Sequence, residues 1–518
     1  PLLMVCVFGM GLHSTLFGPL KYSLLPQVLK PEELTGGNGL VEMGTFVAIL
    51  LGTILGTSLV TIPETGAYWV AGATIIIAVI GLITSRKMPS LPPTTHTINW
   101  NPITETISTL KYVTKNRSVF LSCLGISWFW FYGSVFFTQL PQYAKYVLGS
   151  SEGTFTLLLS LFSIGIAIGS LLCEKLSHRT VEIGLVPLGA IGMTVFGADL
   201  YFAHPQIMGE QKLLLMQVIA QPGVKRGMFD LFMMAVFSGL YIVPLFALVQ
   251  SRTDKDKVSR VIAANNILNA LFMVVAAGLS VVALTVWHWT IPQLLLAVAV
   301  LNAFAAIYIF SLVPEFLMRF VAWVLTKMMY HVDVKGIEEH VPDEGPALIV
   351  CNHVSYMDAL ILGGAIPRPA RFVMYYKIFQ IPVASWFFKT ARAIPIAGAK
   401  EDPDIMQKAF DEVDKALAEG EIVGIFPEGT LSTDGEIAEF KSGVEKILAR
   451  RSVPVVPVAL KGMWTSMFSK RNSKLGQLRV PHRFRAHIEV EAGPAVPAAE
   501  VSAQVLESKV KALRGNRA

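Results

Sequence analysis

Nine apolar segments of 20 to 27 residues crowd into the first 313 positions, and that pattern excludes a chain folded wholly in water. They run at 2–28, 39–61, 66–85, 118–138, 154–174, 182–203, 228–250, 264–286 and 291–313. A helix needs about 20 mostly apolar residues to cross hydrocarbon, and a helix satisfies its own backbone there. The stretch 205–222 is broken by Pro205, Glu210, Lys212 and Pro222 and reads as a loop. Charge divides the chain in the same place: residues 1–330 hold 19 of 43 Lys and Arg and 14 of 37 Asp and Glu, whereas the last 188 hold 24 and 23. The reading is a membrane domain over 1–314, a linker over 315–330 and a polar domain over 331–518.

Orientation follows from where the cations fall. One set of alternate loops, with the exit from the last span, carries 14 Lys and Arg; the other set carries only Lys145, Lys212, Lys225 and Arg226. The richer side is expected to face the cytoplasm, and everything after residue 314 with it. The four cysteines, Cys6, Cys123, Cys173 and Cys351, form no C-x-x-C pair, so neither a disulfide framework nor a metal site is indicated. The chain opens at Pro1 inside an apolar segment, which reads as a fragment whose first helices precede it.

Two segments look like copies. Gly18-Pro19-Leu20-Lys21-Tyr22-Ser23-Leu24-Leu25-Pro26-Gln27 leads into Asn38-Gly39-Leu40-Val41-Glu42, and Val243-Pro244-Leu245-Phe246-Ala247-Leu248-Val249-Gln250 leads into Asn265-Asn266-Ile267-Leu268-Asn269. Parallel repeats of this kind build two-halved transporters. Polar groups inside apolar segments are costly, so Lys21, Asn38, Glu42, Asn265 and Asn269 are the candidate transport residues; the plainer reading is that they join helix to helix. Gly44, Gly52 and Gly56 have the spacing of a close-packing stripe. The run from Phe17 to Gly56 resembles the bacterial lysophospholipid transporters of the major facilitator superfamily. That resemblance implies a polytopic α-helical membrane domain with about nine of the family's twelve helices present.

Between the parts, Glu315–Tyr330 places Phe316, Leu317, Phe320, Val321, Val324, Leu325, Met328 and Met329 at helical spacing, as an interfacial amphipathic helix would. Beyond it, β-branched runs at 331–335, 347–351, 371–375, 393–396, 421–426, 454–460 and 486–491 alternate with helical patterns at 359–366, 404–419 and 441–451. Such alternation predicts an α/β layered domain.

Two motifs sit where strands end, the usual place for a ligand in an open α/β sheet. The first is Asn352-His353-Val354-Ser355-Tyr356-Met357-Asp358, the second Phe426-Pro427-Glu428-Gly429-Thr430. On a regular helix His353 and Asp358 would lie about 140° apart, so a turn must bring them together. A histidine held by a carboxylate is a general base for a hydroxyl. With no G-x-S-x-G elbow in the chain, the attacking hydroxyl belongs to the substrate. The pair of motifs resembles the glycerolipid acyltransferases of the lysophosphatidic acid acyltransferase group over about 331–495. The resemblance implies His353 and Asp358 as the catalytic pair and Glu428, Gly429 and Thr430 as acceptor-binding residues, with Asn352 beside them. The family's intervening arginine is missing from its usual place, and Arg392 or Lys400 would stand in for it.

Between Glu445 and Glu489 there are ten cations and no acid, a pattern suited to anionic lipid or to the phosphates of a thioester carrier, and not read here as nucleic-acid binding. The combined expectation is a lysophospholipid carrier fused to an acyltransferase. No cofactor is bound; acyl-CoA or acyl-carrier protein serves as co-substrate, and membrane lipids are the surroundings. The rival expectation is a membrane-anchored 1-acylglycerol-3-phosphate acyltransferase whose transporter-like half is a scaffold.

Overall fold

A computed structural model of the chain describes residues 2–30, 33–89, 101–150, 152–177, 184–205, 213–312, 321–322, 324, 329–342, 345–366, 368–464, 466, 473–474, 477–478 and 486–515. Contacts divide it into two units, Pro1–Val313 and Pro314–Ala518. Most of the amphipathic helix expected over 315–330 and most of the basic run after Lys461 lie outside the described residues.

The first unit is helical: α1 (Leu2–Val28), α2 (Leu34–Val60), α3 (Gly66–Ser85), α4 (Pro102–Val113), α5 (Arg117–Gln142), α6 (Glu152–Ser177), α7 (Leu185–Ala203), α8 (Leu215–Ala220), α9 (Val224–Ser251), α10 (Val258–Val281) and α11 (Ile291–Leu312). Among the described residues eight helices are long and apolar enough to cross a membrane. The ninth expected span, α1, forms as a helix over its expected bounds but is not one of the eight. Two further helices were not expected. The loop at 205–222 contains α8, whose first turn is closed by the Gln217 side chain on the Leu214 N–H. The loop after α3 contains α4, started by Asn101, whose side chain accepts from Ile103 and Thr104 ahead of Pro102 at the first turn.

Helix α9 is the centre of this unit, packed by α6 on one side and α7 on another. Glycines permit the approach: a Cβ at Gly165 would meet the Phe232 carbonyl at 2.7 Å, and one at Gly189 would meet the Tyr241 N at 2.7 Å. Gly44, Gly52 and Gly56 instead face open space. On α2 the close packing falls at Gly39, where a Cβ would lie 2.7 Å from the Ser170 carbonyl of α6. The expected stripe is misplaced because spacing alone does not say which face meets a neighbour.

The apparent copies occupy matching positions. Proline-bearing α1 precedes asparagine-bearing α2, as proline-bearing α9 precedes asparagine-bearing α10. Helix α1 packs on α10 and α2 on α9, the crossed pairing that a two-fold relation between repeats requires.

The second unit is an α/β sheet of seven strands in the order β1-β9-β6-β2-β5-β3-β4. They are β1 (Tyr330–Lys335), β2 (Ala347–Cys351), β3 (Ala370–Tyr375), β4 (Ile394–Ile396), β5 (Ile422–Ile425), β6 (Val455–Lys461) and β9 (Ala486–Ala492), with β7 (Ser473–Lys474) and β8 (Gln477–Leu478) a separate two-residue pair. All seven expected strands form within a residue or two of their expected bounds. Strands β6, β2, β5, β3 and β4 are parallel; β9 runs against β6 and carries β1 parallel to itself. Central β2 is buried along its whole length. Its Ile349 and Cys351 join one core with α13 (Asp358–Ala365), which follows the one-turn α12 (Ile337–His340). Its Leu348 and Val350 join the other, with α15 (Pro403–Ala418), α16 (Gly443–Arg450) and α17 (Ala503–Arg514); α14 (Pro382–Thr390) lies between β3 and β4. Burial on both faces explains why the central strands read as unbroken apolar runs.

Candidate active site

Strand β2 delivers its last residue, Cys351, to the sheet's carboxyl end, and the chain then turns sharply into α13. Asn352 continues the ladder with its side chain. Its Nδ2 donates to the Leu460 carbonyl (3.1 Å) and its Oδ1 accepts from the Leu460 N–H (2.8 Å). It is fully buried, and these two bonds anchor the turn to β6. The turn brings His353 and Asp358 together: Nδ1 lies 2.9 Å from Oδ2. The same Oδ2 accepts from the Val354 N–H (2.6 Å) and the Ser355 N–H (2.8 Å). Asp358 is buried, while the His353 side chain keeps 24 % exposure. With Nδ1 assigned as the donor to the carboxylate, Nε2 is left as the basic nitrogen. The imidazole stacks on Phe426 at the end of β5, centroids 4.3 Å apart.

The second motif closes the loop beside it. Glu428 is only 2 % exposed. One carboxylate oxygen accepts from the His353 N–H (2.7 Å), the other from the Ala438 N–H (2.8 Å). Burial raises its carboxyl above the ordinary 4.5, and these two donors work against that shift. The Ser432 N–H donates to the His353 carbonyl (2.9 Å), so the loops after β2 and β5 are tied in both directions. Gly429 takes φ +68°, a conformation in which a side chain is strained. Gly429 and Thr430 are exposed at the lip. The sequence motifs pointed to Glu428 but not to its use as a latch, because its donors come from loops 75 and 10 residues away.

Arg392 is not brought to this site. It precedes β4, at the end of the parallel strands opposite to His353. There Nη2 lies 3.8 Å from Glu419 and Nη1 bonds Glu421 at 2.5 Å, and its carbonyl accepts from Arg371 Nε (2.8 Å). A basic residue near a strand reads as a headgroup contact, but the sequence does not say which end of the sheet it occupies. Lys400 follows β4 at the catalytic end. Among the described residues one cluster has metal-ligand chemistry: His331, Asp333 and His487, all exposed on β1 and β9. Asp333 already serves both rings, accepting from His487 Nε2 at 2.7 Å and lying 3.8 Å from His331 Nε2.

In the helical unit the candidate residues separate into two groups. Asn38 on α2 and Gln250 on α9 form a two-way amide pair, with bonds of 2.6 and 3.0 Å, and Gln250 also donates to the Tyr22 carbonyl (3.1 Å). Tyr22 stacks on Phe246 at 4.3 Å and donates its hydroxyl to buried Glu42. Lys21 reaches Thr45 Oγ1 (3.0 Å) on the wall of a groove with Phe17, Leu40 and Val41. The second group lies on α10. Asn269 accepts from Ser127 on α5 (2.8 Å), while Asn265 is fully buried with no hydrogen-bond partner among the described residues. Gln250 and Tyr22 were missed as partners, although both stand in the copied segments.

Residues 331–461 match the Acyltransferase family, and residues 1–277, more than half of the chain, match the Major Facilitator Superfamily. The chain belongs to the Major Facilitator Superfamily. It is a multi-pass membrane protein of that superfamily with an acyltransferase domain on the same chain. Over 308 residues it is 26 % identical to a lysophospholipid transporter of Pectobacterium carotovorum, covering 54 % of this chain and 69 % of that one. Over 133 residues it is 32 % identical to a chloroplastic 1-acyl-sn-glycerol-3-phosphate acyltransferase of Brassica napus, covering 26 % of this chain and 38 % of that protein. A Chlamydomonas reinhardtii 1-acyl-sn-glycerol-3-phosphate acyltransferase is 33 % identical over 157 residues, covering 30 % of this chain and 46 % of its own. The chain thus spans less than half the length of each of these two acyltransferases.

Proposed function

We propose that this protein moves lysophospholipid across the bacterial inner membrane and reacylates it on the cytoplasmic side. The observation that carries the chemistry is the His353–Asp358 pair at 2.9 Å, with Nε2 available for a substrate proton. His353 Nε2 takes the proton of the free acceptor hydroxyl, and that oxygen attacks the carbonyl carbon of an acyl thioester. The tetrahedral oxyanion collapses with cleavage of the C–S bond, and the thiolate leaves with the proton held by the imidazolium. Asp358 stabilises that imidazolium and fixes its tautomer. Acyl-CoA or acyl-carrier protein is the donor, and no resident cofactor enters.

The likeness of the helical unit to lysophospholipid transporters supports the transport half, with Lys21, Asn38, Glu42, Asn265 and Asn269 as its polar residues. The excess of Lys and Arg in one set of loops supports a cytoplasmic acyltransferase domain. The domain bounds follow as 1–314, 315–330 and 331–518. Joining carrier to enzyme raises the local concentration of delivered acceptor.

The test uses the full-length protein in sealed liposomes. Labelled lysophosphatidylethanolamine is confined to the leaflet opposite the acyltransferase, with acyl-CoA on the enzyme's side. Acylation above protein-free flip controls, lost without the helical unit, supports coupled transport and transfer. Acylation only of lipid already on the enzyme's leaflet reduces the helical unit to a scaffold.

A further inference from the structure

The headgroup phosphate of a lysophospholipid needs a cation, and the second motif does not supply one. Glu428 is an anion whose two oxygens are both taken by backbone N–H groups. Several cations of the unit are committed to carboxylates: Lys377 to Glu401 (2.7 Å), Arg371 to Glu412 and Glu421, Arg451 to Asp414 (2.8 Å), and Lys461 to Glu489 (2.9 Å). Lys441 differs. It stands just ahead of α16, is exposed, and pairs with no carboxylate among the described residues.

Its place is set by the loop that holds the motif. The Lys441 N–H donates to the Pro427 carbonyl (3.0 Å). Its side chain then lies across Gly429, with Nζ 2.5 Å from where a Cβ on that glycine would be. The ammonium therefore sits on the motif's exposed rim, where Thr430 follows Gly429, and one loop from His353. Gly429 serves two ends there: it adopts positive φ, and it leaves room for the lysine. An ammonium with no acid partner, held at the rim by its own backbone bond, is a ready anion contact at low ordering cost.

We propose that Lys441, with Thr430 beside it, receives the acceptor's headgroup phosphate, while Glu428 is a positioning residue that keeps the two loops together. The assignment rests on the acyltransferase reading above and deepens it. A cation that holds a remote phosphate acts on binding before it acts on chemistry.

The experiment measures acyl transfer from acyl-CoA to lysophosphatidylethanolamine by the full-length protein and its Lys441→Ala and Lys441→Arg variants in liposomes. The expected result is a KM for the acceptor raised about tenfold or more by alanine, with kcat within about threefold and most of the loss restored by arginine. A fall in kcat with KM unchanged, no effect, or a loss that arginine does not relieve overturns the role of Lys441 and leaves the acyltransferase reading standing. A wild-type protein that acylates no lysophospholipid removes the acyltransferase reading itself, and this proposal with it.

Discussion

The two units hold their buried polar groups by different means. At the end of β2, Asp358 takes its donors from residues three to five positions away, so the turn nearly makes itself. In the helical unit the Asn38–Gln250 pair joins residues 212 apart and exists only when α2 meets α9. The catalytic turn is thus a local device set into a sheet, whereas the membrane network is an adhesive between distant helices. Local devices leave a signature in sequence; adhesives leave only an unexplained polar residue.

The sharpest way to break this comparison is at the base. His353→Ala should lower acyl transfer by about a hundred- to ten-thousandfold, the usual share of a general base, while the helical unit inserts as before. Retained transfer would remove His353 from the chemistry. Glu428→Ala comes next, since it leaves two backbone N–H groups without their acceptor. A loss of about 1–3 kcal/mol in stability, with transfer reduced alongside, is expected from equilibrium unfolding and assay; an unchanged midpoint would mean the latch is idle.

On the membrane side a double-mutant cycle of Asn38→Leu and Gln250→Leu should show a coupling of about 0.6 to 2 kcal/mol in detergent unfolding. Additive effects would show that the pair does not act as one adhesive. The smallest effect concerns acid. Hydrogen bonds from Lys461 and Lys335 hold the Glu489 carboxyl at about 2, below its ordinary 4.5. A carboxyl depressed in the fold contributes fully above 4.5, and its contribution is lost as pH falls towards 2. Glu489→Gln should therefore remove part of the loss in protection seen by hydrogen exchange in β6 and β9 over that range. Identical acid profiles would exclude Glu489 as a source.

Much of the fold was legible because it depends on near neighbours. Apolar runs of about 20 residues mark spans, and β-branched runs between helical patterns marked all seven strands of the main sheet. The Asn101–Pro102 start of α4 is equally readable, yet it falls in a stretch between spans that reads as loop. At the site, His353 and Asp358 were legible through the resemblance of the two motifs to the glycerolipid acyltransferases, and the turn that joins them is made by near neighbours.

The chain's sequence alone determined the helical and α/β regions, the strand positions and the His353–Asp358 turn, since each is decided by periodicity or by contacts within a few residues. Only the tertiary structure decided that Arg392 lies at the far end of the sheet, that Asn352 and Glu428 are fastenings, that Gln250 completes Asn38, and that Lys441 lies over Gly429. Those facts depend on strand order and helix pairing, which bring together residues separated by anything from 10 to more than 200 positions. Side-chain chemistry is written at each position; its neighbours across the fold are not.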